Sequence, residues 1–161
     1  MIKAATRLAS LLIVAGVLVF FSNCGGSDPK PSREEQQLTK LKKEWSITGA
    51  SFEGDDTRIN DFTNFKLNLS GVTFNKNSPK GPYNYTLSGS KPDPGPWSGS
   101  GGNFELFPGV SGDTGTLARG DGVAITYNIN SSGHLSLAFF YGGDSGGRTE
   151  QIIGDWVFTF Q

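Results

Sequence analysis

Few side chains in this chain could carry out chemistry, and their spacing argues against most of it. His134 is its one imidazole. It opens the alternating stretch His134–Tyr141 on the polar side, and no carboxylate or nucleophile can be assigned to it as a hydrolytic triad requires. Asp55-Asp56 is an adjacent acidic pair of the kind glycoside hydrolysis would use. It lies in Gly-Asp-Asp-Thr, where Asp side chains commonly accept backbone N–H groups in a turn. Asp55-Asp56, Asp113 and Asp144 all lack the dense, fixed oxygen spacing of a calcium loop. Gly99–Gly102 and Gly142–Gly147 are glycine-rich, but strands follow them rather than the helix a phosphate loop needs. Arg119-Gly120-Asp121 spells an adhesion tripeptide that merges into a tight Asp-Gly turn. The expectation is a protein that is not an enzyme and uses no metal or cofactor. The aromatics remain. Tyr83, Tyr85, Trp97 and Trp156, with Tyr127, could stack on sugar rings or line an apolar pocket. The competing use of the same rings is to fill a core.

Composition narrows the elements that must position these residues. The 161 residues include 23 Gly and 12 Phe, and only 18% are charged. That suits one turn-rich β domain better than a helix bundle. A single Cys excludes an internal disulfide and a multi-cysteine zinc site. A net charge of −1 excludes a strongly cationic nucleic-acid binder.

The N-terminus reads as an address. Lys3 and Arg7 precede the apolar run Leu8–Phe21 (LASLLIVAGVLVFF), which suits a signal peptide and is short of the about 20 residues a membrane span needs. The run ends at Phe21-Ser22-Asn23-Cys24, which resembles the lipobox of bacterial lipoproteins, although Asn23 stands where Gly, Ala or Ser is usual. The resemblance implies cleavage before Cys24 and acylation of its thiol. Residues 1–23 would then be the signal peptide, 24–31 a flexible Gly/Ser/Pro tether, and 32–161 the folded domain. Gly25 after the Cys implies sorting to the outer membrane, with the domain facing the periplasm or the cell surface.

Ser32-Arg33-Glu34-Glu35 matches a capping box, so a short helix is expected over Arg33–Glu44. Leu38, Leu41 and Trp45 form its apolar stripe, and Lys40, Lys42 and Lys43 read as a solvated face. After Trp45 the period becomes two. Eight strands are expected: Trp45–Phe52, Phe65–Ser70, Tyr83–Ser88, Trp97–Phe107, Gly115–Arg119, Val123–Ile129, His134–Tyr141 and Gln151–Phe160. Short hairpin turns and the lack of crossover helices predict an all-β, up-and-down antiparallel barrel. In that order alternate loops share an end. Glu53–Asn64, Gly89–Pro96, residues 119–122 and Gly142–Glu150 should lie together, away from the membrane. The inward rows are large in nearly every strand, which predicts a mostly filled interior with any pocket at one mouth. Phe140, Ile153 and Val157 break the polar rule outside, and docking of the helix there is the favoured explanation. Plugging of a barrel mouth is its rival.

Leu38–Trp45, Asn64–Gly71 (NFKLNLSG), Pro96–Gly99, Leu117–Gly122 (LARGDG) and Ile153–Phe160 (IGDWVFTF) together resemble the lipocalin-like domains of Gram-negative lipoproteins. The resemblance implies an eight-stranded calycin-type barrel with a short N-terminal helix. The G-x-W signature of true lipocalins is absent at Trp45, so their ligand site is not carried over. Two functions follow as expectations. One is a membrane-anchored, non-enzymatic barrel binding a small apolar or glycan ligand. The alternative is a structural or interaction subunit of an envelope protein complex, its barrel filled by its own side chains.

Overall fold

The computed structural model describes residues 30–143 and 152–161. The expected leader, Cys24, most of the tether and residues 144–151, with Asp144 among them, lie outside the described residues. Ser32–Gln161 form one compact unit.

One helix, α1 (Arg33–Leu41), precedes eight strands: β1 (Glu44–Phe52), β2 (Lys66–Asn68), β3 (Tyr83–Ser88), β4 (Gly101–Pro108), β5 (Thr114–Arg119), β6 (Ala124–Ile129), β7 (Leu135–Tyr141) and β8 (Gly154–Phe160). Each strand pairs antiparallel with its sequence neighbour, and β1 pairs with β8 to close the barrel. The expected fold class is the observed one. Closure removes every sheet edge, which an open eight-stranded sheet would leave exposed to other chains.

Local chemistry sets the boundaries. The Ser32 hydroxyl accepts the Glu35 backbone N–H at 3.2 Å and starts α1. The helix stops at Leu41 rather than Glu44, because the Lys43 carbonyl takes the Leu69 N–H at 3.0 Å and Glu44 already pairs with Asn68. A two-turn 3₁₀ helix over Asp56–Asp61 interrupts the β1–β2 connection. It is capped by Asp55, whose carboxylate accepts the Thr57 N–H at 2.9 Å. The alternation predicted for the later strands holds: Ile125, Tyr127, Leu135, Leu137, Phe139, Tyr141, Trp156, Phe158 and Phe160 are all buried. In β5, Gly115 is where a Cβ would meet the Phe107 carbonyl at 2.5 Å and the Tyr127 ring at 2.8 Å. Its missing side chain makes room for that ring.

The expected loop parity also holds. At one end, α1 lies against the loop 109–113, where Gln37 Nε2 donates to the Ser111 carbonyl at 3.3 Å and Lys40 Nζ to that of Gly112 at 2.9 Å, and Lys43, just past the helix, donates to the Gly133 carbonyl at 3.4 Å. Trp45 Nε1 donates to the Leu41 carbonyl at 2.9 Å, pinning the helix C-terminus over the interior. Leu38 and Leu41 are buried there. The helix therefore plugs a mouth and does not cover Phe140, Ile153 and Val157, which stay 59%, 37% and 39% exposed. Docking to that outer cluster, the explanation favoured from sequence, is overturned because the stripe points down the barrel axis. At the other end the Ser90 N–H reaches the Thr63 carbonyl at 2.9 Å.

Candidate functional site

Three places could hold a ligand: the barrel interior and two outer grooves. The interior is nearly full. A void there, bounded by Leu67, Tyr85, Trp97, Phe104, Arg119 and Leu137 among others, is about 10 Å³. That is room for about one water, whereas ligand pockets run from about 300 to 1,000 Å³.

Rings do the filling. Trp97 was expected at the start of a strand, but the fourth strand begins only at Gly101. Trp97 instead hangs from the preceding loop into the barrel. It packs edge-on to Phe139 and Phe158 at centroid distances of 5.5 and 5.7 Å. Phe158 stacks on Trp156 at 5.5 Å, and Phe62 meets Phe158 edge-on at 5.1 Å. Such contacts add about 0.5–1.5 kcal/mol each beyond area burial.

Arg119 completes the plug. Its side chain is 3% exposed, and its guanidinium lies 4.9 Å from the Trp97 ring centre and 5.8 Å from that of Phe139. Nη1 donates to the Pro96 carbonyl at 2.8 Å, Nε to Asp121 Oδ1 at 3.1 Å, and Nη2 to Asp121 Oδ2. A buried guanidinium is tolerable only when it is paired and hydrogen-bonded in this way. Burial alone would raise the Asp121 carboxyl, but the hydrogen bonds and charge of Arg119 together hold it below the usual carboxylate range. The Arg-Gly-Asp tripeptide thus folds back on itself, with its arginine inside.

The five aromatics named from sequence therefore separate. Trp97, Tyr127 and Trp156 are at most 2% exposed. Burial raises the Tyr127 phenol far above its ordinary range, helped by the Asp113 charge, and its hydroxyl has no hydrogen-bond partner among the described residues. Tyr83 and Tyr85 sit together in β3, and burial raises both phenols. They border the larger outer groove, about 450 Å³, where β2 and β3 diverge. The divergence has a local cause. Asn68 Oδ1 accepts the Ser70 N–H at 2.8 Å and the Val72 N–H turns back to the Leu69 carbonyl at 3.1 Å, so β2 ends after three residues while β3 runs on to Tyr83. Amides (Asn68, Asn84) and hydroxyls (Ser70, Thr73, Thr86) line it, and no charged residue does. Sequence alternation did not reveal this groove, since a premature turn made it. Asn68 followed by Ser70-Gly71 was the available signal.

The second groove, about 350 Å³, runs between the 3₁₀ helix and the outer face of β1 and β8, along Thr48, Ser51, Ile59, Val157 and Thr159. Asp56 also lines it, and it opens onto a sheet face made mainly of small and hydroxyl side chains. Thr116, Thr126, Ala138, Val157 and Ser51 sit opposite one another across five strands, and Thr114, Asn128, Ser136, Thr159 and Gly49 form the next row. Beyond Ala138 and Val157, exposed Phe140 pairs with Asp155.

His134 is exposed and its backbone N–H donates to Asn130 Oδ1 at 3.0 Å. Among the described residues, no group of three His, Cys, Asp or Glu could hold a metal ion. The chain matches no protein-family model, and no curated protein or solved structure is significantly similar to it.

Proposed function

We infer that this is a lipid-anchored bacterial envelope protein of lipocalin-like kind, non-enzymatic, that works through its outer surface as an interaction subunit. The leader and the Cys24 lipobox pattern support the anchor. The observation that carries the rest is the filled interior: about 10 Å³ leaves no site for an apolar ligand among Trp97, Tyr127 and Trp156. Phe140 and Val157, exposed on neighbouring strands of one outer face, support a protein partner, since exposed apolar surface of this kind usually meets something. A second reading rests on the uncharged amide and hydroxyl groove beside Tyr83, whose chemistry suits a glycan. Native mass spectrometry of the protein released from its own envelope tests both. The expected result is an acylated N-terminal Cys24 and a co-purifying protein, with no small molecule retained. A stoichiometric apolar ligand would overturn the reading.

A further inference from the structure

We propose that the helix-bearing end of the barrel is a lipid-contact surface that rests on an anionic bilayer. Three observations meet there. The first is charge. Residues 32–44, 69–82, 109–113 and 130–134 build this end and carry six Lys/Arg against four Asp/Glu. Two of those acids are already ion-paired, Asp113 with Lys40 at 2.5 Å and Glu44 with Lys66 at 2.6 Å. The opposite end, from residues 53–65, 89–100, 119–123, 142–143 and 152–155, carries three Lys/Arg against seven Asp/Glu. Sequence alone shows a short lysine run on one helix; the fold adds Lys76 and Lys80 from a distant loop to the same end. Anionic headgroups attract the first end and repel the second within about one Debye length, roughly 10 Å at 0.1 M salt.

The second observation is apolar surface among the basic residues. Val110, at the tip of the β4–β5 loop, is 94% exposed. Phe107 is 37% exposed with Lys80 Nζ 4.8 Å from its ring centre. Apolar side chains on the same barrel end as these cations suit a headgroup boundary, where the tip enters and the ammoniums stay with phosphate.

The third is reach, and here the proposal rests on Cys24 being the anchor. Eight residue steps lead from Cys24 to Ser32, the cap of α1. The tether expected there from the sequence would span roughly 16 Å on average, against roughly 25 Å for a barrel whose strands rise about 3.3 Å per residue. The chain enters at the basic end, so that end meets the bilayer unless the tether runs back along the whole barrel.

The test supplies the tether artificially, which separates this surface from the question of acylation in the cell. The chain from Cys24 onward, which keeps every described element, is coupled through its single thiol to maleimide-lipid. The vesicles contain either 30 mol% phosphatidylglycerol in phosphatidylcholine or phosphatidylcholine alone, and amide hydrogen exchange is followed by mass spectrometry. The expected result is at least threefold slower exchange in 73–82 and 109–113 on the anionic vesicles only, with 53–58 and 90–100 unchanged. In the triple variant Lys42→Glu, Lys76→Glu, Lys80→Glu, all exposed positions, that protection should disappear while strand protection persists. Equal exchange on both vesicles, or protection of the acidic end, would overturn the proposal. An unacylated native Cys24 would instead remove the anchor reading.

Discussion

The two mouths of the barrel are both stoppered, by different means. At one end a regular helix drives Leu38 and Leu41 inward and is held by Trp45 Nε1 on the Leu41 carbonyl. Its contribution is apolar burial with conventional capping. At the other end an irregular loop inserts Trp97, and a buried cation, Arg119, locks it from β5. That stopper combines ring packing with an ion pair to a buried guanidinium that holds the Asp121 carboxyl low, so its contribution should fall in acid.

Trp97→Ala breaks the comparison most severely. Removing a fully buried indole costs about 3–5 kcal/mol and leaves a cavity where the wild type has almost none. Denaturant titration should read the loss, and an apolar dye should bind the variant. Leu41→Ala, at the other stopper, is expected to cost about 2–4 kcal/mol while the near-ultraviolet signal of the Trp97 cluster persists in the folded state. Loss of that signal in folded Leu41→Ala would mean that the two ends are not independent.

The ion pair distinguishes the ends by pH. Asp121 is held below its ordinary value, so it binds a proton more weakly in the folded state. Its contribution is complete above the unfolded value of about 3.8 and is lost as pH falls through the folded one. Stability should therefore drop below about pH 4, and Asp121→Asn should flatten that drop and cost stability at neutral pH. Ser32→Ala tests the helix alone and should cost about 1 kcal/mol with no pH component. The smallest expected effect has the opposite sign. Tyr127→Phe deletes a buried hydroxyl that has no partner among the described residues, and a gain of up to about 1 kcal/mol in denaturant stability is expected.

The helix was legible in the sequence, although its place in the mouth stood only as the rival to docking outside, and the loop stopper was not legible, for physical reasons. Ser32-x-x-Glu35 and the Leu38, Leu41, Trp45 spacing specify a capped amphipathic turn through local contacts. Period-two rows in the last three strands gave the barrel, its strand count and the grouping of its loops. Trp97 was misplaced because Ser98-Gly99-Ser100-Gly101-Gly102 offers no alternation, and Gly99 adopts a positive φ that keeps the chain out of a strand until Gly101. Arg119 was within reach. It shares parity with buried Leu117, so the alternation put a guanidinium on the inward row, where its tripeptide reading drew attention to the turn instead. The direction in which α1 leans depends on Gln37, Lys40 and Lys43 meeting loops seventy or more residues away, which no local pattern encodes.

The central claim is that the barrel has no vacancy and that recognition belongs to its outside. Titration of the wild-type domain with N-phenyl-1-naphthylamine tests this most directly, with Trp97→Ala as the comparison. The filled interior predicts no saturable fluorescence rise in the wild type and a one-to-one rise in the variant. Saturable micromolar binding to the wild type, displaced by a fatty acid, would contradict it.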